Sequence, residues 1–205
     1  MADPTLPDVA GVRIPDSRAA KEAEQLCREE SSPMLYAHAL RSYFFACLLG
    51  SADGLRFDEE LLYVGCVLHD VGLTPTYEEP VRSFEYVGAD VAAELAERRG
   101  WALDRRHTLH RSIVLHMAPS ISPAELPEVL LLEAGVACDV SGARTAEVSG
   151  RAMQEIVARY SRKDFKREFT ALMGREARRK PDCSAALLLG LGLGRRIEEA
   201  DLPDP

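Results

Sequence analysis

The chain has 205 residues, with 25 lysines and arginines, 33 aspartates and glutamates, and a formal net charge of -8. This length is typical of one domain, and 46% hydrophobic with 28% charged residues is the composition of a globular protein. The acidic balance argues against a nucleic-acid partner, because a protein that neutralises phosphates needs a basic face. The net charge says little about a small-molecule site, because the local charge of such a site can differ from the total.

The sequence also argues against a membrane or secreted protein. No stretch reaches the roughly 18–20 apolar residues that a spanning helix needs, and the segment Met1–Thr5 lacks the features of a signal peptide. The five cysteines are scattered and form no Cys-x-x-Cys pair. We expect free buried thiols, no membrane association and a cytoplasmic location.

Helix patterns dominate the chain after a proline-containing start. We predict a flexible N-terminal arm over 1–15, one domain over 16–195 and a C-terminal tail over 196–205. Alternating strand patterns are absent. The predicted helices cover about 16–30, 33–50, 58–72, 83–99, 105–117, 125–140, 146–159, 163–179 and 183–192. The predicted fold is all-α, a single-domain bundle of about 8 helices.

One of these helices, over 33–50, is predicted to be central. Ser32 and Pro33 supply a cap and a first-turn proline for the helix over 33–50, which is apolar nearly all round. Asp58 caps the next helix, which is also strongly apolar. A helix without a solvated face belongs in the core.

Chemistry is indicated by charged residues on helices that should hold none. His38 lies early in the first apolar helix, His69 and Asp70 close the second, and Asp139 ends the apolar run 129–138. Burying an ionised carboxylate costs several kcal/mol unless a cation compensates it. Each residue alone has a structural explanation, as a hydrogen-bonded core histidine or a helix cap. Three apolar helices that each deliver such a group favour a metal site instead.

The residue types indicate which metal. His69 and Asp70 lie about 100° apart on a helix, so one ion between them can bind both. Two imidazoles and two carboxylates suit one divalent transition metal, with Zn favoured over Fe or Mn, rather than the all-oxygen shell of Ca or Mg.

The order His38, His69-Asp70, Asp139 resembles the H…HD…D pattern of the HD-domain superfamily of metal-dependent hydrolases. The surrounding blocks are similar to its cyanamide hydratase-like branch, over roughly residues 24–190: HALRSYFFACLL, LLYVGCVLHDVGLT, SFEYVGADVAAELAERRGW, SIVLHM and GVACDVSGA. The resemblance implies that His38, His69, Asp70 and Asp139 bind the metal and that Asp70 is also catalytic. It implies an enzyme, a hydratase or hydrolase, in which activated water adds to a small C≡N compound.

Four more residues are candidates for the site. His116 shares a helix face with Leu109 and Ile113, and the resemblance gives it substrate contact or proton transfer. Glu85, in the block SFEYVG, would orient a ligand, shuttle a proton or form a buried ion pair with Arg41. Arg41 would otherwise support the site from behind the ligands. Thr74 would hydrogen-bond the substrate or cap the turn.

Two alternatives stay open. An HD phosphohydrolase would act on a nucleotide or another phosphate ester, but it needs cations near the metal, and the helices of the site offer mainly Arg41 and Arg82. A metal-binding sensor without turnover would have a coordination shell filled by protein. The apolar stretch 187–193 leaves a homo-oligomer possible.

Overall fold

The computed structural model describes residues 8–203 and confirms the all-α prediction. Its helices are α1 (Arg18–Glu30), α2 (Pro33–Ala52), α3 (Glu59–Leu68), α4 (Phe84–Arg98), α5 (Leu103–Leu115), α6 (Pro127–Ser141), α7 (Gly150–Arg159), α8 (Phe165–Arg179), α9 (Ser184–Gly190) and α10 (Leu193–Glu199). Short 3-10 turns cover Val71–Leu73 and Thr145–Glu147. None of these helices is long and apolar enough to cross a membrane.

The chain ends differ from the predicted layout. Residues 1–7 and 204–205 lie outside the described residues, but Val9 and Ile14 of the predicted arm are buried in the core. At the other end Gly192, with φ +89°, allows the chain to turn and begin α10, whose Ile197 is buried. The described part of the chain therefore has ten helices where about 8 are predicted, and packed residues extend beyond both ends of the predicted domain.

The α2–α6 pair forms the centre of the bundle, and the apolar pattern of α2 predicts the central place of that helix. The two helices run side by side so closely that a Cβ on Gly135 would lie 2.2 Å from the carbonyl oxygen of Ser42. His38 lies one turn before Ser42, and Asp139 lies one turn after Gly135. The close crossing at Gly135 therefore brings the side chains of His38 and Asp139 together.

The helix α3 ends earlier than predicted. It stops at Leu68, with His69 as its C-cap, and Asp70 precedes the 3-10 turn. Gly72 permits this turn to lie directly on α4, because a Cβ there would be 2.2 Å from the Phe84 carbonyl oxygen. The segment that carries His69 and Asp70 is thus held by close backbone packing rather than by a continuing helix.

Gly135→Ala is expected to lower the free energy of unfolding by about 1–3 kcal/mol, because the added methyl group overpacks the α2–α6 contact. Gly190→Ala is the matched control, since it also lies in a helix but has no atom within 4 Å of the added carbon. The control should be neutral or slightly stabilising. Urea unfolding of both variants checks this, and equal stabilities would contradict the close crossing.

Candidate metal centre

Three buried side chains converge on one point between α2 and the end of α3. His38 Nε2 and His69 Nε2 are 3.3 Å apart, and Asp70 Oδ2 lies 3.2 Å from the His69 nitrogen and 3.6 Å from the His38 nitrogen. Zinc ligands at 2.0–2.1 Å from a tetrahedral ion are separated by about 3.3 Å. The spacing of these three atoms therefore fits a divalent metal ion between them.

The surroundings of Asp70 provide a second observation that fits a bound cation. Its Oδ2 atom is buried and accepts no hydrogen bond. A buried carboxylate oxygen is costly to leave without a partner. Because this oxygen lies beside two imidazole nitrogens, a cation held by all three groups would satisfy it.

The histidine rings are fixed so that their Nε2 atoms face inward. His69 Nδ1 lies 2.7 Å from the Cys66 carbonyl oxygen, and His116 Nδ1 lies 2.5 Å from that of Ile113. A carbonyl only accepts, so both Nδ1 atoms donate, and each neutral ring keeps a lone pair on Nε2. His38 Nδ1 makes the corresponding bond to Asp139 Oδ2 at 2.6 Å. With Nδ1 bonded in this way, all three histidines direct Nε2 toward the same space.

Asp139 lies on the far side of His38, which differs from its predicted place as a metal ligand. Its Oδ1 accepts from Arg41 Nε at 2.7 Å and from Arg162 Nη1 at 2.6 Å. Its Oδ2 accepts from Arg41 Nη2 at 2.8 Å and from His38. Both oxygens are occupied, and Asp139 is not in the group of converging ligand atoms. It orients the ring of His38, as carboxylates behind metal-bound histidines do.

The two arginines form a clamp on Asp139 that is fully buried. Arg41 also donates to the carbonyls of Tyr160 and Ser161, and Arg162 donates to the Asp139 carbonyl as well. Both guanidinium groups lie over the ring of Phe165, at 5.1 and 4.5 Å from its centre. The predicted support role of Arg41 thus has a geometric basis. Its predicted partner Glu85 is replaced by Asp139.

Electrostatics set the charge state of the buried groups. Burial alone would raise the pKa of Asp139, but Arg41, His38 and Arg162 lower it below its ordinary value. Burial lowers the pKa of His38 despite its bond to Asp139, which keeps that imidazole neutral and able to bind a metal. For Asp70, burial is outweighed by the three histidines, so its pKa is also lowered. Both aspartates are therefore ionised at neutral pH.

The hydrogen bonds of Glu85 differ from those that its predicted catalytic role requires. It is buried, and its two oxygens accept hydrogen bonds from the hydroxyl groups of Ser83 and Ser184. These bonds join the start of α4 to the start of α9, so Glu85 stabilises the packing of these helices. It is not among the converging ligand atoms.

Thr74 and His116 are both buried, but only His116 contacts a residue of the cluster in the structure. The Thr74 hydroxyl donates to the Val71 carbonyl at 2.7 Å and closes the 3-10 turn. Of the two roles predicted for Thr74, this hydrogen bond corresponds to capping of the turn. His116 Nε2 lies 3.7 Å from Asp70 Oδ1, and its ring contacts His69 edge-on with 4.8 Å between centres. His116 thus faces the cluster from α5, opposite His38.

Sequence reasoning missed three residues around the site. Arg162 lies in a polar stretch, SRKD, that resembles an exposed turn. Phe165 and Phe169 pack their rings 5.3 and 5.2 Å from His38. Their i, i+4 spacing indicates a buried helix face but does not say what that face covers.

Comparison with known proteins agrees with this geometry. A sequence model of the HD domain family matches residues 35–141, more than half of the chain, so the protein belongs to the HD domain family. Cyanamide hydratases DDI2 and DDI3 of Saccharomyces cerevisiae are each 25% identical to it over 176 residues, which covers 84% of this chain and 78% of each relative. The chain is thus similar in sequence to two cyanamide hydratases across most of its length.

The arginine clamp predicts strongly non-additive substitutions. Arg41→Met or Arg162→Met alone leaves Asp139 with one guanidinium group, so each should cost little stability. The double variant leaves the buried carboxylate without an arginine, and the coupling between the two substitutions should reach about 0.5–3 kcal/mol. Urea unfolding of the four proteins in the cycle measures it.

The control cycle pairs Arg41→Met with Arg151→Met, which changes an exposed side chain with no ion pair among the described residues. These two substitutions should be additive. Additivity in the Arg41–Arg162 cycle as well would show that the two guanidinium groups do not share the stabilisation of Asp139.

Proposed function

We propose that this protein is a metal-dependent hydratase that adds water to a small C≡N compound of the cyanamide or nitrile type. The observation that carries the proposal is the buried Asp70 oxygen without a hydrogen bond, beside two Nε2 atoms at metal-ligand spacing. The sequence similarity to cyanamide hydratases supports the same reaction class. The resident ion is proposed to be a single zinc, since the donors are two imidazoles and a carboxylate.

His38, His69 and Asp70 would hold the metal. A divalent metal supplies Lewis acidity, which lowers the pKa of bound water to about 7. Asp139 belongs behind His38 in this proposal, because its oxygens are already occupied by Arg41, Arg162 and the His38 ring. The predicted set of four ligands is thus reduced to three, which leaves a position open for water or substrate.

His116 is proposed to move the proton. Its Nδ1 donates to the Ile113 carbonyl, so Nε2 is the atom free to accept. When water attacks the carbon of the C≡N group, a C–O bond forms, one C–N π bond breaks, and the oxygen loses a proton. Nε2 of His116 accepts that proton and returns it to the nitrogen, which gives an imidic acid, or isourea from cyanamide. Transfer of the remaining O–H proton to the same nitrogen then forms the C=O bond as the second C–N π bond breaks, and the product is an amide, or urea from cyanamide.

The charges around the cluster favour an uncharged substrate over a phosphate ester. Arg41 and Arg162 both bind Asp139, and Arg82 is exposed and pairs with Asp90 and Glu79. Phosphoryl groups need cationic partners that are free to contact their oxygens. The rings nearest the cluster belong instead to Phe84, Phe165 and Phe169. The phosphohydrolase alternative therefore has less support.

Location and assembly also stay proposals. All five cysteines are buried and free, which suits a reducing cytoplasm. Leu187 and Leu191 are exposed at the C-terminal end of the chain, where the predicted homo-oligomer would form its contact.

Metal binding tests the ligand assignment. The wild-type protein should hold one divalent ion per chain, and His69→Ala should lose it. Asp139→Asn should bind the ion about 10–100-fold more weakly, because it disturbs the orientation of a ligand rather than removing one. Metal analysis and competitive titration measure both effects, with Arg151→Met as the unchanged control. An Asp139→Asn protein as empty as His69→Ala would restore Asp139 to the ligands.

Activity tests the reaction. The wild-type protein should convert cyanamide to urea, and Asp70→Asn should not. His116→Gln should keep its metal but lose about 10²–10⁴-fold in kcat, the contribution typical of a general acid–base group. Urea formation and metal content are measured on the same samples. Loss of metal from His116→Gln would make it a ligand, and phosphate release from nucleotides without cyanamide turnover would favour the phosphohydrolase.

A further inference from the structure

The cluster is closed to solvent in this structure. The side chains of His38 and His69 are 0% exposed, that of Asp70 is 5% exposed and that of His116 is 1% exposed. A substrate must therefore pass between packed side chains to reach the Nε2 atoms. We expect the substrate to enter from the surface cavity whose lining residues lie nearest to the cluster.

One cavity of about 510 Å³, which we call the α2–α8 groove, has lining residues three or four positions along the chain from His38 and Asp70. Leu35, Leu73 and Thr74 are buried lining residues, and none of them carries a charge. The arginines that line the groove, Arg167 and Arg175 among them, have exposed side chains and so belong to its outer part. The inner wall is uncharged and the outer rim is polar.

Three segments of the chain each contain a residue that lines the groove and a residue that lies in or next to the cluster. On α2, Leu35 lies one turn before His38, and these positions share a helix face. Leu73 and Thr74 follow Asp70 by three and four residues. On α8, the half-buried Leu172 lies one turn after Phe169. Residues of the groove wall therefore lie three or four positions along the chain from His38, Asp70 and Phe169.

Phe169 is buried beside His38 and lies one helical turn before Leu172 of the groove wall. Its ring is 5.2 Å from the His38 ring and stacks on Phe165 at 5.0 Å, and the residue is only 3% exposed. We propose that the α2–α8 groove is the substrate entrance, that Phe169 closes its inner end, and that the uncharged inner wall selects small uncharged molecules. The selection of such molecules rests on the proposed hydratase function.

A second cavity, of about 830 Å³, leads elsewhere. Its lining includes Tyr160 and Ser161, whose carbonyl oxygens accept hydrogen bonds from Arg41. It shares Met34 and Glu168 with the groove, but it extends toward the arginine clamp behind Asp139. Its lining also contains charged residues such as Lys163 and Asp164. This cavity serves as the internal comparison in the test.

The test measures how fast chelators remove zinc from the loaded protein. Ala171→Trp places a large ring in the groove from an exposed position, and Lys163→Trp does the same in the second cavity. With the uncharged chelator 1,10-phenanthroline, Ala171→Trp should slow extraction several-fold and Lys163→Trp should leave it unchanged. Phe169→Leu should accelerate extraction several-fold, because it shortens the side chain that closes the groove.

Charge selection is checked with dipicolinate, an anionic chelator of similar size, which should extract zinc from the wild-type protein more slowly than phenanthroline does.

Slower extraction in Lys163→Trp but not in Ala171→Trp would overturn the entrance, and faster extraction by dipicolinate would overturn its selectivity. If Phe169→Leu fails to fold, the two tryptophan variants still decide the route. A protein that passes these tests but hydrates no cyanamide would overturn the reaction and leave the entrance standing.

Discussion

The buried carboxylate of Asp139 is the interaction on which the site depends. It receives hydrogen bonds from two guanidinium groups and one imidazole, all inside the core. A carboxylate buried without these partners would destabilise the fold by several kcal/mol. With them, it fixes the ring of His38 and connects α2, α6 and the segment before α8. The same interaction thus stabilises the packing and orients a ligand.

Asp70 presents the opposite case. Its surroundings keep it ionised, yet one of its oxygens has no hydrogen-bond partner. Asp139 is satisfied by protein cations, whereas a bound cation would satisfy Asp70. In the proposed site, Asp139 therefore supports a ligand and Asp70 is itself one. Two aspartates that look equivalent in the sequence therefore have different chemistry.

Backbone packing delivers these groups to one place. The missing side chain of Gly135 lets α2 and α6 approach until His38 and Asp139 meet, and Gly72 lets the turn after Asp70 rest on α4. Both glycines are visible in the sequence, but the sequence does not show which backbone segment each one contacts. The predicted helix through residue 72 is wrong for this reason, because α3 ends at Leu68 and the tertiary contact with α4 holds the following turn.

The sequence by itself determined the all-α fold, the central place of the α2 helix, and a buried cluster that includes His38, His69 and Asp70. These follow from local rules: apolar residues around a whole helix require burial, and ionisable groups on such helices require a compensating partner. Only the tertiary structure decided that Asp139 binds Arg41 and Arg162, that Glu85 binds two serines, and that Val9 and Ile14 join the core. Partners of this kind come from segments far apart in the chain, and no local pattern encodes which of several buried charges will meet.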